Sequence, residues 1–253
     1  MTINNDVLRE RISLLGSFLG DAISRQTGEE TLNTIETLRK GFIQQRREPN
    51  EANKQQLIDF IASLDNQTLK NVIRSFSIYF FLANLSEENY LREQRHALRM
   101  QSDQSWEGSF RRTLLECRER NIAPAQMQEL IEQLEFIPVF TAHPTEARRR
   151  TTMNLLQSLF THSDALNNLA EDSFAYEQAK EKTAQTIDLL WSSDEVRTRK
   201  PLVYDEINNG LHYFNASLFN AIPKVYRNIK DAIIDIYPEL TDYPLPAFMS
   251  FGS

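Results

Sequence analysis

The chain has 253 residues, 41% of them hydrophobic and 25% charged, the make-up of an ordinary soluble globular protein long enough for a sizeable core. Its 28 Lys and Arg stand against 35 Asp and Glu, a formal charge of −7. That balance argues against nucleic acid or an anionic membrane as the main partner.

With only 7 glycines and 9 prolines, the chain favours long helices over many tight turns. Leu8, Ile12, Leu15, Leu19 and Ile23 recur at helical steps, with Asp6, Arg9 and Glu10 between them. This predicts an amphipathic first helix, and the same charges leave no apolar leader at the start. Residues 31–42 repeat the pattern through Leu32, Ile35, Leu38 and Phe42. Residues 44–56 are polar and contain Pro49, which predicts an exposed connection opening a helix with Leu57, Ile58, Ile61 and Leu64 on its apolar side. Residues 75–100 lack Gly and Pro, are apolar nearly all round as far as Leu85 and are charged beyond it. A helix that enters the interior and leaves it has this pattern. After a polar break at 101–108, residues 110–120 are helical again. Asn121, Ala123 and Pro124 punctuate the chain before a fresh helix at 125–134. Cys117, the single cysteine, has no partner for an internal disulfide, and a reduced cytosolic setting fits it best.

The character changes at EFIPVFTA, residues 135–142, short and apolar. The expectation is a brief buried strand of the parallel kind, with Pro138 making it an edge or irregular piece. Helical pattern resumes after Pro144 through Leu155, Leu156 and Leu159, and again over 174–191. A loop is expected at Lys200 and Pro201, then helix over 211–237 broken at Pro223, and finally a second short apolar run in YPLPAFMSFGS. No apolar run approaches bilayer-spanning length, and no repeat or low-complexity segment is evident.

The chemistry-bearing stretch is VFTAHPTEARRR, residues 139–150. Pro144 suits the first helical position, which places His143 at the N-cap directly after a strand. In α/β barrels such junctions form the reactive face. The free amides and positive dipole end there make a seat for phosphate, which Arg148, Arg149 and Arg150 can reach, and Glu146 is spaced to hold an arginine. A neutral imidazole beside phosphate can serve as a base near neutral pH. On the residues alone a second reading stays open: His143 as a purely structural cap and the arginines as a solvated face. His96 is expected to be exposed, His162 to cap a helix end and His212 to be packed. No histidine pair has metal-ligand spacing, there is no phosphate-binding glycine loop and no nucleophile elbow, and Trp106 and Trp191 read as core or interface.

The segment FTAHPTEARRRT resembles the first signature of the phosphoenolpyruvate carboxylase family, Thr-Ala-His-Pro-Thr. LLGSFLGDAI (14–23), FSIYFFLANLSEENY (76–90) and LWSSDEVRTRKPLVYDEINNGL (190–211) resemble further family blocks, in order and with the spacing of the bacterial enzymes. Where family members often carry Pro-Thr-Pro or Pro-Ser-Pro, Leu202 and Val203 follow Pro201, and the regulatory serine motif of the plant enzymes is missing.

The resemblance implies a mainly α protein: an N-terminal helical region over 1–134, then the start of a large α/β barrel over 135–253 that holds its first one or two strands, 136–142 and 247–251. It implies a carboxy-lyase that turns phosphoenolpyruvate and bicarbonate into oxaloacetate and phosphate with Mg²⁺ or Mn²⁺. That reaction fixes carbon dioxide and supplies the tricarboxylic acid cycle, in the cytoplasm and in a homotetramer. His143 matches the family's catalytic histidine. Thr145, Arg149 and Arg150 fall in the vicinity of substrate phosphate. The metal ligands are expected beyond residue 253, so the chain reads as roughly a quarter to a third of a longer enzyme and is expected to be inactive by itself. The rival reading is a non-catalytic helical interaction module.

Overall fold

A computed structural model describes residues 5–100, 106–139, 150–193 and 202–251. The helices are α1 (Asn5–Thr27), α2 (Glu29–Arg47), α3 (Glu51–Ser63), α4 (Asn66–Met100), α5 (Phe110–Glu119), α6 (Pro124–Glu132), α7 (Arg150–Asn168), α8 (Phe174–Ser192), α9 (Val203–Tyr213) and α10 (Phe219–Ile236). Contacts group them into two compact units. One joins Met1–Glu93 to Arg148–Arg197, the other joins Gln94–Ala147 to Thr198–Ser253.

In the first unit, α1 and α2 meet at Gly28, whose φ of 90° belongs to glycine. Its core is the predicted stripe Leu15, Leu19 and Ile23 of α1 packed with Ile35 and Leu38 of α2, Ile78 and Leu82 of α4, Leu159 of α7, and Ile187, Leu190 and Trp191 of α8. Burial of each such aliphatic side chain contributes about 1.5–3 kcal/mol. The polar connection after α2 is shorter than its composition suggests, because Asn50 already caps α3 by accepting the Ala52 and Asn53 amides at 2.9 and 3.2 Å. α4 likewise starts nine residues before the apolar run, with Asp65 Oδ1 accepting the Gln67 amide at 2.8 Å and the Thr68 amide at 3.0 Å. Fully buried Asn89 ties α4 to α7 by donating to Ser163 Oγ at 2.7 Å and the Phe160 carbonyl at 3.3 Å.

In the second unit, α5 ends in a Schellman turn. Asn121, at φ 59°, and Ile122 donate to the carbonyls of Arg118 and Cys117 at 2.9 and 3.1 Å. Pro124 then opens α6. Leu114, Met127, Ile131, Ile233, Ile236 and Tyr237 form this unit's core, against which Cys117 is half-buried.

Three expectations are corrected. Residues 136–139 and 247–251 form no strand among the described residues: Phe136 and Met249 make an isolated parallel bridge, Val139 is a further bridge residue, and residues 140–142 of the predicted strand lie outside the described residues. The first of these segments is not buried either: Phe136 and Val139 are 52% and 60% exposed. Pro138 has no amide to extend the ladder. Pro223 breaks nothing. A π-helical turn at Phe214–Leu218 joins α9 to α10, and Pro223 lies inside α10. Deviation from α geometry therefore falls upstream of the proline, while α10 continues with one amide fewer. His162 is not at a helix end but inside α7, its Nδ1 3.2 Å from Thr186 Oγ1 of α8, where it links two helices. His96 is exposed, and the His212 ring packs edge-on to Tyr213 at 5.8 Å.

Candidate functional site

The predicted site is a junction, and the structure describes its two flanks. On the upstream side, the Phe136 amide donates to the Phe248 carbonyl at 2.7 Å, and the Ser250 amide donates to the Phe136 carbonyl at 3.1 Å. The bridged segments run parallel, so the continuation of each leaves at the same end. One continuation is the run toward His143. The two short apolar runs, read separately in the sequence, meet side by side at this bridge.

On the downstream side stands α7. Leu155, Leu156, Leu159 and Phe160 pack into the first unit's core. Asp164 pairs with Arg92, whose guanidinium also lies 5.1 Å from the centre of the Phe160 ring. Asn167 donates to Glu93 at 3.2 Å, and Glu93 in turn pairs with Arg11 at 2.8 Å. α7 is therefore held by α4, whose Glu93 is in turn held by Arg11 of α1.

Between the flanks, residues 140–149, with His143, Thr145, Arg148 and Arg149, lie outside the described residues. Arg150 is the first residue of α7, and its side chain is likewise outside them. The division between the two compact units falls between Ala147 and Arg148, inside the motif.

The described titratable groups serve structure. Glu36 is held below the usual carboxylate range, first by its hydrogen bonds with Arg39 at 2.7 and 2.8 Å. Asp65 is lowered by the Thr68 hydroxyl and then by the amides of Thr68 and Gln67. Burial raises the Tyr237 phenol, which donates to the Ile122 carbonyl at 3.2 Å. Among the described residues no group of three or more His, Cys, Asp or Glu is placed to hold a metal ion, and no helix is long and apolar enough to cross a membrane. Sequence reasoning missed Tyr226, whose hydroxyl accepts the Phe248 and Met249 amides at 2.9 and 3.1 Å. It also missed Arg74, which binds the end of α8. Neither residue carries a local signal, since both partners are distant in sequence.

The fold and the flanks of this junction define a mainly α-helical polypeptide with a parallel-bridged chain leading into a histidine motif and a helix leading out. Residues 8–253 match the family described as phosphoenolpyruvate carboxylase. The chain is 30% identical over 254 residues to the phosphoenolpyruvate carboxylase of Aromatoleum aromaticum, covering 100% of this chain and 28% of that protein. It is 32% identical over 250 residues to the enzyme of Roseiflexus castenholzii, covering 97% and 26%, and 30% identical over 237 residues to that of Thermus thermophilus, covering 91% and 26%. The chain belongs to the phosphoenolpyruvate carboxylase family, and it spans little more than a quarter of the length of these relatives.

Proposed function

We propose that this chain is the histidine-bearing N-terminal part of a phosphoenolpyruvate carboxylase, which makes oxaloacetate and phosphate from phosphoenolpyruvate and bicarbonate. The observation that carries the reading is the family match running unbroken through Thr-Ala-His-Pro-Thr, with the parallel bridge upstream of it. In this reading residues 1–134 are the helical region and 135–253 open the barrel. The partners are phosphoenolpyruvate, bicarbonate and further copies of the protein in a cytoplasmic homotetramer.

Bicarbonate attacks the phosphoryl group, giving carboxyphosphate and the enolate. His143 takes the carboxyl proton of carboxyphosphate. The bond from carbon to the bridging oxygen then breaks, phosphate leaves with that electron pair, and the enolate captures the released CO₂. General-base action of this kind contributes on the order of 10²–10⁴-fold. A phosphate dianion nearby raises the pKa of the imidazolium and helps it hold the proton. Thr145, Arg149 and Arg150 orient the phosphate. A divalent ion, Mg²⁺ or Mn²⁺, would stabilise charge on the phosphoryl oxygens. Among the described residues no group of three or more His, Cys, Asp or Glu is placed to hold it.

The test is oxaloacetate formation. A polypeptide of the relatives' length that contains this segment should form it from phosphoenolpyruvate, bicarbonate and Mg²⁺, and residues 1–253 alone should not. Inactivity of the longer protein sinks the reading, and activity of the 253-residue chain sinks the division of labour.

A further inference from the structure

Val203, Ile207 and Leu211 stand at steps of four along α9, and a step of three carries the line to Phe214 in the π-helical turn. Asp205, Asn208 and His212 fall on the opposite face. A helix patterned in this way buries its apolar stripe. Here Val203, Ile207 and Leu211 are 73%, 55% and 55% exposed. Among the described elements, only the π-helical turn that continues α9 makes a substantial contact with it. Intrinsic propensity does not account for the helix. Its 11 residues are below the roughly 12–15 under which an isolated helix is marginal in water, and Gly210 inside it weakens it further.

We propose that the apolar stripe of α9 is the seat of the remaining polypeptide of the same molecule, which lays aliphatic or aromatic side chains on Val203, Ile207 and Leu211. This rests on the reading of the chain as part of a longer carboxylase. Continuity supports it: the Phe214 ring lies edge-on to Phe251 at 5.2 Å, so the stripe runs on into the bridged segment that opens the barrel in that reading. Area separates this occupant from a second copy. The stripe exposes a few hundred Å² at most, against the ~800 Å² that each partner of a stable dimer buries. Docking within one molecule does not lose the translational and rotational freedom that association loses, so a small apolar face suffices. The polypeptide to supply it is long, since this chain covers 28% of the length of its Aromatoleum relative.

Amide hydrogen exchange tests it in two proteins, the 253-residue chain and a polypeptide of the relatives' length that contains it. The α9 amides beyond the first turn should exchange at least about tenfold more slowly in the longer protein. Ile207→Ala with Leu211→Ala removes the stripe and keeps good helix formers. In the longer protein this pair should speed α9 exchange about tenfold or more, while in the 253-residue chain it should not. Equal α9 exchange in the two parent proteins overturns the proposal, and so does an alanine pair without effect in the longer one. Protection that falls on dilution of the longer protein would assign the stripe to a second copy and overturn it too. Oxaloacetate formation by the longer parent is measured beside the exchange. Its absence with α9 protected would remove the carboxylase reading and leave the seat in place.

Discussion

The guanidinium of Arg74 in α4 lies 5.1 Å from the centre of the Trp191 ring in α8 and donates to the carbonyls of Leu190, at 3.4 Å, and Ser193. One side chain thereby stacks on the last aromatic residue of a helix, satisfies the Ser193 carbonyl and shares the Leu190 carbonyl with the Ser193 hydroxyl, which donates to it at 2.9 Å. Trp191 itself is 3% exposed, so the contact is largely removed from water, where such interactions are worth more than at an open surface.

Arg74→Ala should therefore destabilise the first unit by about 1–3 kcal/mol, the cost of leaving the Ser193 carbonyl unpaired and losing the contact with the Trp191 ring. Arg74→Lys should recover part of this, since an ammonium can reach a carbonyl but lacks the planar fork and the stacking surface. Thermal melts followed by tryptophan fluorescence check both. Alanine and parent melting together would show that the Ser193 carbonyl finds another partner.

How much of this was legible in the sequence follows from the range of the interactions. The α1 stripe was readable because its period is local, and Leu15, Leu19 and Ile23 are buried as it predicts. The cap at Asp65 leaves no trace in apolar periodicity, because a helix start is marked by residue type and not by period. Phe80 misled in another way: it lies in the run read as apolar all round, yet it is 60% exposed. What one sequence does not display is which distant segments meet. α8 packs against α1, although more than a hundred residues separate them in the chain, and the two compact units are each discontinuous. Composition and periodicity carry no term for such pairings. At the candidate site the motif was legible because its residues are contiguous, whereas Tyr226 was not, because its partners lie 22 and 23 residues away.

The acid behaviour of α4 has a definite sign. The Asp65 carboxyl is lowered by the Thr68 hydroxyl and the amides of Thr68 and Gln67. Its folded pKa lies below its unfolded one, so its contribution is fully present above the ordinary Asp value of about 3.9, and it is lost as the pH falls through the folded value. Asp65→Asn keeps a capping oxygen and removes the charge. Parent and variant should differ in melting temperature at about pH 7, and the difference should shrink as the pH falls below about 3.9. A difference of constant size across that range would rule out the charge as its source.

Gly28 holds φ 90° and ψ 158° between α1 and α2, a region nearly closed to residues with a Cβ, while an added Cβ would meet no atom within 4 Å. Gly28→Ala therefore isolates backbone strain from packing, and the expected loss is about 1–3 kcal/mol. Urea unfolding checks it. An unchanged midpoint would mean that the α1–α2 corner relaxes to another conformation without cost.

The most direct test of the proposed chemistry is His143→Asn in a polypeptide of the relatives' length. Asparagine is a competent N-cap, so a purely structural histidine at the start of a helix would be replaced without harm. A base would not, because an amide cannot accept a proton at neutral pH. The general-base role accordingly predicts a fall in turnover on the order of 10²–10⁴-fold, with helicity and melting temperature unchanged. Oxaloacetate formation measured beside circular dichroism separates the two roles. Turnover close to the parent's in a folded variant would leave His143 as a cap and would move the proton transfer to another group.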